Sequence, residues 1–182
     1  EKRRRNMPHN FLSINDLTGD ELTMLLDWGD MYRAGQDSGR PLEGKSVAML
    51  FEKPSLRTRV SFDIGVHELG GHPIYLGKTE IDMDGREPVE DIAAILEQWV
   101  SLIVARVNRH SSLERLANRA SVPVINALSD VEHPCQALAD MQTVRSQLGH
   151  LEGLKIAYVG AANNCALSLG LACAATGTLI LS

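Results

Sequence analysis

Val47-Ala48-Met49-Leu50-Phe51 runs directly into Glu52-Lys53-Pro54-Ser55-Leu56-Arg57-Thr58-Arg59. The first five residues are all apolar, which reads as a short strand buried on both faces. Pro54-Ser55 then starts a helix with Phe62, Val66 and Leu69 on its apolar face, ended by Gly70-Gly71. A strand that turns straight into a helix start is half of a βαβ unit, and the polar residues gather at the turn.

The same alternation continues in both directions. Residues 73–76 read as a second strand and residues 77–87 as a polar loop. Pro88, at a first helical position, opens a helix with Val89, Ile92, Leu96 and Trp99 on one side. Residues 102–105 read as a third strand. Ser112 is expected to cap a helix carrying Leu113, Leu116 and Ala120. Residues 122–127 read as a fourth strand, and Pro134 opens a helix with Ala137, Met141, Val144 and Leu148 on one face. Upstream, Thr18-Gly19-Asp20-Glu21 is a capping box, followed by an apolar side of Leu22, Leu25, Leu26 and Met31. Trp28 and Trp99 have apolar neighbours at helical spacing and are expected in the core.

Strands alternating with helices predict an α/β fold, a parallel sheet flanked by helices. Gly149 and Gly153 mark a boundary. Beyond it come a strand over residues 154–160, a small-residue helix after Asn163-Asn164, and a strand over residues 178–181. A lone βαβ unit cannot cover its own sheet. The expected division is a flexible tail over residues 1–10, one domain over 11–150, and over 151–182 the beginning of an incomplete Rossmann-like second domain.

Composition narrows the function. The chain has 182 residues, 44% hydrophobic and 23% charged, with a net charge of −5. That balance argues against nucleic acid as a partner. The basic run Lys2-Arg3-Arg4-Arg5 is expected to be a mobile tail. No window of about 18 apolar residues suggests a membrane span, and the N-terminus lacks the apolar core of a secretory signal. Cys135, Cys165 and Cys173 form no C-x-x-C pair, which fits reduced thiols in a cytosol-like compartment. A mitochondrial presequence removed earlier would leave no trace.

In an open α/β sheet, ligands bind beyond the carboxyl ends of the strands. Three polar clusters fall there: Ser55 to Arg59 after the first strand, Arg106 after the third, and His133-Pro134-Cys135-Gln136 after the fourth. A helix start favours an anion through its free N–H groups and macrodipole. Ser55 and Thr58 add hydroxyls, and Arg57 can grip two phosphate oxygens at once. Aimed at a carbonyl, such a cluster could stabilise the negative charge that grows when an amine attacks it. Cys135 reads as a packed residue, since no base is placed for it. Gly77-Lys78-Thr79 lacks the earlier glycine of a phosphate loop, that place being His72. His67 and His72 are one residue too far apart for a helical zinc pair. Gly160-Ala161-Ala162 lacks the remaining glycines of a dinucleotide fingerprint.

Phe51-Glu52-Lys53-Pro54-Ser55-Leu56-Arg57-Thr58-Arg59 resembles the carbamoyl-phosphate motif of the transcarbamylases, and His133-Pro134-Cys135-Gln136 resembles their second motif. Lys53 and Cys135 are similar to the ornithine branch rather than the aspartate branch. Val104-Ala105-Arg106-Val107 and residues 123–130 are similar too, and the resemblance runs from about Phe11 onward. It implies that Ser55, Leu56, Arg57 and Thr58 surround the phosphate. Thr58, Arg106 and His133 would polarise the carbamoyl oxygen, and Gln136 would orient the carbamoyl NH2. Leu128 and Asn164 would help place the amino-acid substrate, although Asn163 and Asn164 read equally well as turn formers. The family resemblance also implies a trimer, or a multiple of trimers, with the 77–87 loop of one subunit bringing Asp82 to its neighbour's site. No metal or organic cofactor is implied.

The chain departs from the family pattern at four points. Leu56 replaces a small or hydroxyl residue near the phosphate. Asp82 replaces Gln or His, and its carboxylate would repel a phosphate unless Lys78 or Arg86 compensates. Ala161 replaces an Asp. The chain also ends before the family's later ornithine-binding segment. The resulting expectation is a cytoplasmic (or mitochondrial-matrix) carbamoyltransferase acting on ornithine. Another amine such as putrescine or an acylated ornithine, and a non-catalytic anion-binding relative, stay open as alternatives.

Overall fold

The computed structural model describes residues 10–36 and 39–181. The basic run Lys2-Arg3-Arg4-Arg5 lies outside the described residues. Four strands, β1 (Ser46–Phe51), β2 (His72–Gly77), β3 (Leu102–Arg106) and β4 (Val124–Leu128), pair in the order β2-β1-β3-β4, all parallel. Just upstream of the first helix, Phe11 bridges to the outer side of β4, taking a bond from Asn126 N and giving one to Val124 O.

Side chains alternate across a strand, and β1 divides accordingly. Ala48 and Leu50 face a core built from helices α4 (Val89–Leu96) and α5 (His110–Arg119). Val47, Met49 and Phe51 face a smaller cluster that holds Val66 and Phe62 of helix α2 (Leu56–Glu68). Both sheet faces are therefore covered, as an all-parallel sheet requires.

A third cluster joins the start of the chain to its end. Leu22 and Leu26 of α1 (Gly19–Arg33) pack with Ala137 and Met141 of α6 (Pro134–Leu148), and with Ala172 and Cys173 of α7 (Asn164–Ala175). Strands β5 (Lys155–Ala157) and β6 (Leu179–Leu181) form a separate two-stranded parallel sheet, where Leu179 and Leu181 remain exposed.

The local signals work where the chain itself supplies them. Thr18 and Glu21 form the reciprocal capping box of α1, Ser55 caps α2, and Gly149 takes the left-handed conformation that ends α6. Elsewhere the structure corrects the reading. Trp28 and Trp99 are 46% and 70% exposed. Trp28 lies two residues past Leu26, on the opposite side of α1 from the buried stripe. The α4 helix ends at Leu96, and the tight turn that follows puts Val100, not Trp99, into the core. Met31 and Leu148 also face outward. Pro88 is the N-cap of α4 rather than its first residue. Ser112 is buried inside α5, whose N-cap is Arg109. The loop over residues 77–87 contains a one-turn helix, α3 (Lys78–Ile81), and the strand expected over 154–160 shortens to β5.

Leu116 is fully buried between sheet and helices, so Leu116→Ala should cost about 2–5 kcal/mol. Trp99→Gln should cost less than about 0.5 kcal/mol. Denaturant unfolding of the two variants checks the contrast.

Candidate active site

The site is built where β1, β3 and β4 end side by side. Phe51 pairs with Arg106, and Glu52 N donates to Arg106 O at 2.9 Å. The register between β3 and β4 slips at Ala105/Arg106, so that Arg106 pairs with Leu128 and Val107 N donates to Leu128 O at 2.9 Å. A slip of this kind re-aims a side chain at a strand end. Arg106 is thereby placed between the start of α2 and the segment that leads into α6.

Ser55 presents its hydroxyl to Thr58 N at 3.3 Å and so closes the first turn of α2. Arg106 Nη1 donates to Thr58 Oγ1 at 3.5 Å, a long contact. Arg106 Nε is buried and has no hydrogen-bond partner among the described residues. Burial lowers the pKa of this guanidinium from the usual arginine range, yet an arginine so placed stays cationic.

His133 is the N-cap of α6 and only 8% exposed. Its Nδ1 is also buried without a hydrogen-bond partner among the described residues. Burial first, and then the Arg106 charge, push its pKa down to about 4. At neutral pH the ring is therefore uncharged and can donate one N–H. Its backbone N–H is held by Ser168 Oγ at 2.9 Å. Thr58, Arg106 and His133 thus come together from three separate chain segments. Two of them carry buried polar atoms that the protein leaves unsatisfied, a costly state that a bound polar group would relieve.

The other sequence-predicted residues are placed as follows. Arg57 is exposed at the start of α2 and has no ion-pair partner among the described residues, and Leu56 beside it is 78% exposed. Gln136 is exposed, and its amide donates to Asp140 Oδ1 at 2.9 Å. Leu128 ends β4 half-buried. Asn164 donates from Nδ2 to Ser129 O at 2.6 Å, which ties the start of α7 to the end of β4. Neighbouring Asn163 caps α7. Asp82 is not brought to this cluster. It lines a separate hollow of about 380 Å³ with Glu52, Met83 and Asn108 among others. Arg86 pairs with Glu87 at 3.8 Å rather than with Asp82. Cys135 donates to Asn126 O at 3.4 Å, and burial pushes its thiol up to about 12, so it is no thiolate nucleophile at neutral pH.

Glu132 and Ser168 escaped the sequence reading. Both are buried polar residues beside His133. Glu132 had one signal, a carboxylate directly preceding the histidine. Ser168 had none, being one small residue among many in α7.

This arrangement has close counterparts. Residues 9–146 match the family profile described as Aspartate/ornithine carbamoyltransferase, carbamoyl-P binding domain.

The chain belongs to the aspartate/ornithine carbamoyltransferase family.

It is 50% identical over 172 residues to an ornithine carbamoyltransferase of Parafrankia sp., covering 92% of this chain and 54% of that protein. The crystal structure of ornithine carbamoyltransferase from Thermus thermophilus superposes with a TM-score of 0.91 at 43% identity, over 96% of this chain and 61% of that one. The Pyrococcus furiosus ornithine carbamoyltransferase gives a TM-score of 0.89 at 41% identity, over 94% and 56%. The chain spans about half the length of the curated relatives it matches. Among its described residues no helix is long and apolar enough to cross a membrane.

The buried histidine makes stability depend on pH. The unfolded chain takes up a proton on His133 near its ordinary pKa of 6.5, the folded chain only near 4. This group's contribution is therefore intact above about 6.5 and is lost as pH falls towards 4. Between pH 7 and pH 5 the loss should be about 2 kcal/mol. Urea unfolding at both pH values, compared with His133→Gln, should show the wild type more acid-sensitive by that amount.

Proposed function

We propose that this chain is the carbamoyl-phosphate-binding portion of a carbamoyltransferase that transfers the carbamoyl group to the side-chain amine of ornithine, yielding citrulline and phosphate. The single observation that carries the reading is the meeting of Arg106, Thr58 and His133, with Arg106 Nε and His133 Nδ1 buried and unpartnered, at a helix start. Residues 11–150 form the phosphate-binding unit on this reading, and residues 151–182 begin the amino-acid-binding one. Three free thiols, Cys135, Cys165 and Cys173, suit a reducing compartment such as the cytoplasm.

Ser55, Arg57 and Thr58, with the backbone N–H groups around Leu56, would take the phosphate. Arg106, Thr58 and neutral His133 would donate to the carbamoyl oxygen. The neutral amine attacks the carbamoyl carbon, and the new C–N bond places a negative charge on that oxygen. The C–O bond to phosphate then breaks, phosphate departs with the bonding pair, and the amine nitrogen passes its surplus proton to the departing phosphate. Donors fixed in advance at the oxygen lower this barrier, as does holding the two reactants together. Gln136 would exchange its bond to Asp140 for one to the carbamoyl NH2. Leu128 and Asn164 would help place the amino acid. Asp82 lies in a different hollow from the cluster of its own subunit, which suits the proposed trimer, where the loop serves a neighbour.

Arg106→Ala and His133→Ala should each lower citrulline formation by about 10²–10³, some 3–4 kcal/mol at the transition state. Wild-type turnover in both variants would remove these residues from the reaction. An acceptor screen with carbamoyl phosphate tests the substrate. Ornithine should be used well, with putrescine and acylated ornithine poor, and the reverse order would reassign the acceptor.

A further inference from the structure

Glu132 is a carboxylate only 5% exposed, and it has no ion-pair partner among the described residues. Neutral donors from separate segments satisfy it instead. Ser13 Oγ donates to Oε1 at 2.6 Å, while Ile14 N and Ser168 Oγ donate to Oε2 at 3.3 and 3.0 Å. The Ser168 hydroxyl proton is thus committed to Glu132, which turns its lone pairs towards His133 N, accepted at 2.9 Å. The preceding turn is closed as well: Glu132 N donates to Ser129 Oγ at 3.1 Å and Ser129 N to Glu132 O at 2.9 Å. The His133 ring has no such anchor at Nδ1, which lacks a partner among the described residues. Its position is set through its backbone, and that backbone is held from α7, an element of the second sheet's unit.

We infer that Glu132 and Ser168 are positioning residues, a buried relay that fixes His133 beside Arg106 and makes the geometry at the carbamoyl oxygen depend on the docking of α7. The charge on Glu132 has a purpose in this arrangement. A carboxylate accepts only, so it dictates the direction of every hydrogen bond in the relay. A neutral amide could donate to Ser168 and let the hydroxyl turn round.

The inference rests on the proposed role of His133, and the experiment separates the two. In the intact protein carrying this chain, Ser168→Ala and Glu132→Gln should each lower kcat about tenfold, the size expected for one buried hydrogen bond. KM for carbamoyl phosphate should change less. In a His133→Ala background the same substitutions should change kcat less than twofold, because the residue they act through is gone. An equal loss in both backgrounds would show a general structural effect and overturn the relay, as would an unchanged kcat in the presence of His133. If His133→Ala itself leaves turnover intact, the proposed reaction role fails. The relay is then judged by the NMR titration of the His133 ring. In Ser168→Ala that titration should move up towards the ordinary histidine range as the ring leaves its buried place beside Arg106. An unmoved titration overturns the relay.

Discussion

The pairing of Phe51 with Arg106 at the ends of two adjacent parallel strands is the constraint on which the site depends. Parallel register fixes which residues leave the sheet together. Here it releases the loop to α2 and the Arg106 side chain at the same level, so a guanidinium meets the first turn of a helix. The slip between β3 and β4 adds a third participant by bringing the end of β4 level with Arg106. Upstream of those ends the strands are mostly apolar and buried, from Val47 to Leu50 in β1 and Ile103 to Ala105 in β3, and their packing holds the register. A one-residue shift of β1 against β3 would exchange the two sheet faces and separate Arg106 from Thr58.

The electrostatics at that edge are arranged for something negative. A helix start, the Arg106 cation and the neutral donor His133 meet there, and among the described residues Arg106 has no ion-pair partner. Glu132, the nearest carboxylate in sequence to His133, is turned away and occupied by Ser13, Ile14 and Ser168. Burial first, and then repulsion from the Arg106 charge, keep His133 neutral. A neutral imidazole that donates one hydrogen bond is the form suited to an oxygen gaining charge. On the proposed reading, burial and the Arg106 charge together hold His133 in the form that would polarise the carbamoyl oxygen.

The two sheets are linked through side chains of opposite character. Leu22, Met141, Ala172 and Cys173 supply apolar contact among α1, α6 and α7. Next to them, Asn164 reaches Ser129 O and Ser168 reaches His133 N. Apolar burial is largely indifferent to direction, whereas these hydrogen bonds fix a register. The seam that joins the sheets is therefore also where the end of β4 and the start of α6 are aligned.

The amino-acid sequence by itself determined the parallel α/β fold, the four-strand core, the helix starts at Thr18, Ser55 and Pro134, and the residues that meet at the strand ends. Each of these rests on local signals: apolar runs, capping side chains, and proline or glycine at positions with few conformational options. The family resemblance was legible for the same reason, because its motifs are contiguous. What only the tertiary structure decided depends on distant partners. Trp28 and Trp99 carry core-like neighbours, but their direction is set by where α1 and α4 end and what they pack against. Asp82 sits in a loop whose hollow is formed with Glu52 and Asn108, far away in sequence. The protonation state of His133 follows from burial and from an arginine 27 positions before it in the sequence. The Glu132 and Ser168 relay joins residues 13, 132, 133 and 168, and no local pattern can announce a hydrogen bond whose two ends meet only after the sheet has closed.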